Sequence, residues 1–120
     1  MFKRLAFLVA AFLWPTVSMA TDIEGSVAVL GMLDKVTGRF RSERVVVGDT
    51  FVFEKLRIKV RACMYKPPEE TPENTAYLEI DEQKKHQVNP NSLFRGWMFS
   101  STHAVGMNSP VYDVWLLSCE

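Results

Sequence analysis

The feature that most restricts the fold of this chain is an alternation of apolar and polar side chains. Over Leu56–Ala62 the sequence LRIKVRA places leucine, isoleucine, valine and alanine on one face, and arginine and lysine on the other. A period of two is typical of a strand with one buried face, because successive side chains of a strand point to opposite sides of the sheet. No segment after residue 20 shows the period of an amphipathic helix. The chain is therefore predicted to be all-β.

Further segments have the composition of short strands and are separated by turn residues. They are Val27–Leu33, Arg39–Val47, Thr50–Glu54, Ala76–Asp81, Leu93–Phe99 and Val111–Cys119. Thr37-Gly38 and Gly48-Asp49 provide residues that tolerate a positive φ in tight connections. The proline-rich stretch KPPEETPENT is predicted to be a loop, because proline cannot donate to a strand ladder. About seven short strands in a chain of this length predict one small β-sandwich or partly open β-barrel.

The N-terminus has the pattern of a cleaved export signal over residues 1–20. Two basic residues precede the apolar run Leu5–Trp14, and the small residues Ser18 and Ala20 suit a signal peptidase. The apolar run is too short to span a bilayer, which takes about 20 residues. We therefore predict that residues 21–120 form one exported, periplasmic domain without a transmembrane segment.

Export makes a disulfide the simplest use of the two cysteines, Cys63 and Cys119, because oxidising compartments favour one. Their spacing does not match a redox-active Cys-x-x-Cys pair. Strict alternation along Leu56–Ala62 would place Cys63 on the charged face. Either the bridge lies on the outside of the sheet, or a β-bulge turns Cys63 inward.

The charge pattern argues against a nucleic-acid partner. Without Lys3 and Arg4, twelve basic side chains remain against fourteen acidic ones, so the exported domain is mildly acidic. The stretch Arg39–Arg61 is rich in basic residues, whereas Pro67–Glu82 carries acidic residues and no basic ones. We interpret them as two solvated stretches that approach each other in the fold.

Several longer motifs are specific when they are taken together and in order. They are LDKVTGR at Leu33–Arg39, VGDTFVF at Val47–Phe53, RACMYKPPEETPENTAYLEI at Arg61–Ile80, GWMFSS at Gly96–Ser101 and SPVYDVWLLSC at Ser109–Cys119. With these motifs the chain resembles an exported proteobacterial family, domain-of-unknown-function family 2155, over nearly its whole mature length. The resemblance implies no activity and no catalytic residue. The chain also departs from it, with Asn108 where a histidine is expected shortly before the final proline.

One hypothesis for the function is a small hydrolase. The residues with the types of a catalytic triad are Ser100, Ser101, His103 and Asp113. They lack a Gly-x-Ser-x-Gly elbow and a glycine-rich loop that could form an oxyanion hole. We therefore predict that His103 is chemically idle. Asp113 is predicted to be a structural charge that accepts backbone N–H bonds or pairs with a base from Arg57–Arg61.

A further hypothesis is copper handling. His103 and Met107 are four residues apart, and imidazole and thioether ligands suit Cu(I) in an exported protein, with Met64 and Met98 elsewhere. That spacing is helical, however, in a segment predicted to be a loop, and methionine commonly fills cores. Zinc would need a cysteine cluster or paired histidines, which the sequence lacks. We predict no metal site and no cofactor.

The leading hypothesis concerns strands Leu93–Phe99 and Val111–Cys119, which are apolar on both faces. A small sandwich buries only one face of each strand in its core, so the protein's own loops or another molecule must cover the other. The residues predicted to form an interaction surface are Trp97, Phe99, Tyr112 and Trp115, with at least one tryptophan partly exposed. The exported domain is thus predicted to be a non-enzymatic module that binds an envelope protein, or alternatively a polymer or lipid.

Overall fold

The computed structural model describes residues 11–15, 22–102, 107 and 109–120. In these residues it contains strands and no helix, which confirms the all-β prediction. The strands are β1 Ile23–Glu24, β2 Val27–Asp34, β3 Arg39–Val46, β4 Thr50–Phe53, β5 Leu56–Tyr65, β6 Asn74–Glu82, β7 Asn91–Phe99 and β8 Tyr112–Cys119. Each predicted strand is present, and the two-residue β1 is an addition. None of the described residues belongs to a helix that could cross a membrane.

The strands form two antiparallel sheets. Sheet A has the order β1-β5-β6-β7, with β4 pairing along the same edge of β5 as β1. Sheet B has the order β3-β2-β8, so the last strand of the chain pairs with the second. The arrangement is a small sandwich, which was one of the two predicted architectures, rather than a closed barrel.

The core lies between the two sheets and is built from alternate residues of the longer strands. Its fully buried large side chains are Leu30 and Met32 of β2, Leu56, Ile58 and Val60 of β5, Leu78 and Ile80 of β6, and Val114 and Leu116 of β8. The period-two pattern of the sequence therefore predicted the buried faces of these strands. Their burial is the main source of stability, at roughly 25 cal/mol for each Å² of apolar surface removed from water.

A β-bulge in β5 turns Cys63 into the core. Val60 pairs with Leu78 but Ala62 pairs with Tyr77, so one extra residue, Arg61, is accommodated between the two pairs. The alternation shifts by one residue there, and Cys63 is only 1% exposed. Cys63 is bonded to Cys119 with a Cα–Cα distance of 5.7 Å, which confirms the predicted pairing. The bridge joins sheet A to sheet B.

The basic and acidic stretches approach each other, as predicted. Arg61 of β5 pairs with Glu79 of β6 at 3.3 Å, on the outer face of sheet A. On the same face, Arg95 of β7 lies 3.9 Å from Asp81 of β6. The arginines of these pairs are exposed and the acidic partners are only partly buried, so each pair contributes at most about 1 kcal/mol.

Candidate binding surface on sheet A

The outer face of sheet A carries a cluster of apolar side chains near the ends of three neighbouring strands. Because Cys63, Ala76 and Met98 are buried on the core side, the residues next to them in sequence point outward. We call these outward residues the aromatic patch: Ala62 and Met64 of β5, Thr75 and Tyr77 of β6, and Trp97 and Phe99 of β7. The strand registers place Ala62 beside Tyr77, Tyr77 beside Trp97, and Thr75 beside both Met64 and Phe99.

Trp97 and Phe99 are the most exposed large side chains of the aromatic patch. Each is 45% exposed, and both project from the same face of β7. The Trp97 ring stands edge-to-face against Tyr77, with 5.3 Å between the ring centroids and an angle of 82° between the planes. A shallow depression of about 140 Å³ is lined by Trp97, Met98, Phe99 and Thr102. The expectation of a partly exposed tryptophan beside a shallow apolar groove is therefore met at Trp97.

A row of charged side chains adjoins the aromatic patch on the same outer face. We call it the basic row: Arg57, Lys59 and Arg61 of β5, Glu79 and Asp81 of β6, and Arg95 of β7. Four of its members are basic and two are acidic, so the row has a net positive charge. The outer face of sheet A thus combines exposed aromatic surface with an excess of cations.

The end of β7 is fixed to the start of β6 by a carboxylate. Glu73 accepts hydrogen bonds from the Ser100 hydroxyl at 3.1 Å and from the Ser101 backbone N–H at 3.2 Å. The Ser100 oxygen in turn accepts the Asn74 backbone N–H at 2.9 Å. Hydrogen bonds from Ser101, and then from Ser100, hold the pKa of Glu73 below its ordinary value because they stabilise its charged form. Ser100 therefore has a structural role, as the link between two loops.

Among the residues that the structure describes, the candidate triad side chains do not come together as a catalytic site. Ser100 and Ser101 lie at the end of β7 in sheet A, whereas Asp113 lies on β8 in sheet B, where it pairs with Lys35 at 3.5 Å. Lys35 is thus its partner, rather than a base of β5. His103 lies outside the described residues.

The methionines proposed as copper ligands do not converge. Met98 is 3% exposed on the core side of sheet A, whereas Met64 points outward from the same sheet. Met107 packs against the core, and His103 again lies outside the described residues. In the parts of the chain that the structure describes, no three histidine, cysteine or acidic side chains come together as a metal site.

Trp115 lies on the opposite side of the molecule, on the outer face of sheet B. Its indole covers Gly31 of β2, where a Cβ atom would lie only 2.4 Å from the Trp115 Cε2 atom. The indole stacks on Phe40 of β3, with ring centroids 5.7 Å apart. The absence of a side chain at Gly31 lets an aromatic side chain of β8 reach across β2 to β3.

Tyr112 belongs to the core rather than to either outer face. It is 5% exposed and meets Phe53 edge-to-face, with 6.3 Å between ring centroids. Of the residues expected to form one interaction surface, the structure brings Trp97 and Phe99 together and places Tyr112 and Trp115 elsewhere. Tyr77 and Met64 were not predicted to belong to this surface. Alternation along ENTAYLEI could have identified Tyr77 as an outward aromatic residue.

The Tyr112 hydroxyl lies near two interacting carboxyl groups, those of Asp34 and Glu54, at one end of the sandwich. It donates to Glu54 at 3.3 Å. The interaction of the Asp34 and Glu54 carboxyl groups lowers the pKa of Asp34 and raises the pKa of Glu54, because a hydrogen bond between them requires one group to be protonated and favours the charged form of the other. Asp34 also accepts the backbone N–H groups of Val36 and Thr37 at 2.9 and 3.2 Å, which favour its charged form. Asp34 therefore orders the turn after β2.

Comparison with known proteins identifies the family of the chain. A family model described as an uncharacterized protein conserved in bacteria (DUF2155) matches residues 28–119. The chain belongs to this family. The match confirms the resemblance found in the sequence motifs and extends from β2 to β8. No curated protein and no solved structure gives a significant match to this DUF2155 chain.

Proposed function

We propose that this DUF2155 protein is an exported, non-enzymatic binding module that captures a protein of the cell envelope through the aromatic patch. The observation that carries the proposal is the exposure of Trp97 and Phe99, each 45%, side by side on one face of β7. Exposed aromatic side chains cost free energy in water, and tryptophan is enriched where interfaces concentrate their binding energy. A partner that covers both rings would recover that free energy.

Export is supported by the pattern of residues 1–20 and by the disulfide between Cys63 and Cys119. Disulfides persist in oxidising compartments such as the periplasm. Cell fractionation and N-terminal sequencing of the accumulated protein test this part of the proposal. We expect a periplasmic protein that begins near Thr21. An intact N-terminus on a cytoplasmic protein would contradict it.

A non-enzymatic role is supported by how the polar groups beside the aromatic patch are used. The Ser100 hydroxyl donates to Glu73 and accepts an N–H from Asn74, which leaves it committed to structural hydrogen bonds. A nucleophilic serine needs a base within hydrogen-bond reach, and its acceptor here is a carboxylate whose lowered pKa makes it a weak base.

Photo-crosslinking in intact cells tests the binding proposal. A photoreactive amino acid at Phe99 is expected to give a defined protein adduct, and Trp97→Ala in the same chain should abolish that adduct. The matched control position is Val46, an apolar side chain that is 50% exposed on the outer face of sheet B. The matched control substitution is Phe40→Ala, which removes an exposed aromatic ring from that face.

The proposal predicts strong crosslinking at position 99 that survives Phe40→Ala. Equal adducts at positions 99 and 46 would indicate nonspecific collision. An adduct at position 99 that survives Trp97→Ala would show that Trp97 does not contribute to the interface and would contradict the proposal that the two rings bind together.

A further inference from the structure

We propose that the partner binds by adding an extended, acidic segment as a new strand along the free edge of β7. This inference rests on the proposed function and specifies how the aromatic patch is used. It has three parts, which are an available strand edge, a matching side-chain surface, and a charge that selects the occupant.

The edge of β7 is available in the part of the chain that the structure describes. There, β7 pairs with β6 on one side and with no strand on the other. Ser100 donates its N–H to the Asn74 carbonyl at 2.9 Å, so this pair is hydrogen-bonded. Hydrogen-bonded pairs recur at every second residue of an antiparallel ladder. Met98 and Gly96 therefore bond to β6, whereas Arg95, Trp97 and Phe99 direct their backbone groups toward the edge.

Most of these edge-facing groups have no backbone partner among the described residues. The Phe99 carbonyl accepts the Thr102 N–H at 3.2 Å, which closes the edge after Phe99. At the other end of β7, the register shifts between Ile80 and Asp81, so a bulge interrupts regular pairing near Leu93. Bulges and turns commonly limit an exposed edge. What remains is a regular edge over Arg95–Phe99, long enough for a short added strand.

The residues that present this edge also present the aromatic patch. Trp97 and Phe99 point their side chains to the outer face and their N–H groups to the edge. A strand hydrogen-bonded to them would place every second side chain beside these rings, over the depression of about 140 Å³. The five residues Arg95–Phe99 would thus provide both the main-chain hydrogen bonds to the added strand and the surface that contacts one of its apolar side chains.

The basic row selects the chemistry of the added segment. Arg95 is the member of the row on β7, and its side chain is 58% exposed at a distance of 3.9 Å from its nearest acid, Asp81. An acidic side chain on the incoming strand, two residues from the apolar one, would face Arg95 on the outer side of the sheet. A second copy of this chain fits less well, because pairing two β7 edges would bring two basic rows onto one continuous face.

Synthetic peptides test the inference on the purified exported protein. The probe is a blocked octapeptide with threonine at every second position and valine, valine, glutamate and glutamate at the others. One control replaces the glutamates by lysines. The other is N-methylated at the non-threonine residues, which removes the N–H groups that would bond to β7.

Amide hydrogen exchange, read by NMR, is the measurement. The acidic peptide should slow exchange at Arg95, Trp97 and Phe99 and leave Gly96 and Met98, which already bond to β6, unchanged. The lysine peptide should bind at least about tenfold more weakly, since like charges would then meet at Arg95. The N-methylated peptide should give no protection.

Each contrary result overturns a stated part of the inference. If the rings of Trp97 and Phe99 respond while the edge amides do not, strand addition is wrong. If the lysine peptide binds equally well, the acidic specificity is wrong. If the edge amides become protected as protein concentration rises without peptide, the occupant is a second copy. The proposed function fails separately, through the crosslinking result at position 99.

Discussion

Trp97 and Trp115 each lie on the outer face of their own sheet, yet they differ in what covers them. Trp115 lies over Gly31 and stacks on Phe40, so its own sheet shields much of the ring. Trp97 meets only the edge of Tyr77 among the rings of sheet A and stays 45% exposed. The neighbouring strand decides the difference. Glycine in the neighbouring strand, as at Gly31, lets the Trp115 ring pack across that strand. A bulky neighbour, as at Tyr77, leaves the Trp97 ring exposed on the surface.

The largest expected difference is in stability. Trp115→Ala should lower the free energy of unfolding by about 3 kcal/mol, because it uncovers the backbone of Gly31 and removes the contact with Phe40. Trp97→Ala should cost less than about 1 kcal/mol, as exposed substitutions usually do. Denaturant unfolding of both variants measures this. Equal losses would show that Trp97 also supports the fold and would weaken the aromatic patch as a site.

The next effect concerns Gly31. Gly31→Ala should destabilise the protein by about 2 kcal/mol, because the new Cβ would displace the Trp115 indole. In a Trp115→Ala background the same change should cost much less, since nothing then occupies the space. Unfolding free energies of both single variants and the double variant give the coupling. Additive losses would mean that Gly31 matters for a reason other than contact with Trp115.

Solvent access distinguishes the two rings more directly. In Trp115→Phe, which keeps Trp97, iodide should quench the fluorescence with a steeper slope than in Trp97→Phe, which keeps Trp115. The sample is residues 21–120, so that Trp14 does not contribute. A steeper slope for Trp115 would reverse the assignment of the two faces.

The smallest effect is on pH dependence and involves Glu73. Its folded-state pKa is lowered, so its hydrogen bonds stabilise the protein above the ordinary value of 4.5, and this stabilisation is lost as pH falls through the lower folded value. Acidification below about pH 4.5 should therefore loosen the end of β7 and change Trp97 fluorescence before that of Trp115. Glu73→Gln should remove this acid transition. A transition that persists in Glu73→Gln would assign it to another carboxyl group.

The sequence predicted the strands because each sheet buries one face, and alternation records that face locally. It also predicted the Cys63–Cys119 bridge, but only the register of β5 against β6 reveals that a bulge at Arg61 turns Cys63 inward. The different roles of Trp97 and Trp115 could not be predicted from local alternation. Gly31 and Trp115 become neighbours through pairing of β2 with β8, which no local pattern encodes.

The composition of β8 explains why Tyr112 was also misjudged as surface. Both faces of Tyr112–Cys119 are apolar, so alternation identifies two faces without saying which is inside. The structure buries Tyr112, Val114 and Leu116. Asp113 lies on the other face and finds its partner in Lys35, which follows the paired strand β2. The buried face of β8 and the partner of Asp113 both depend on which strand pairs with β8, and only the tertiary structure shows this.

The pairing of β2 with β8 also fixes the order in which the protein can assemble. Residues through Phe99 contain every strand of sheet A, but sheet B lacks an edge strand until β8, which follows all of them in the sequence, has been made. Until then Leu30 and Met32 have no β8 to pack beside, and the half-molecule exposes apolar surface that favours aggregation. Cys63 likewise stays unpaired until Cys119, 56 residues later in the sequence, has been made. The sandwich can therefore close only after β8 has joined β2, and a chain that still lacks β8 is the form at risk of aggregation.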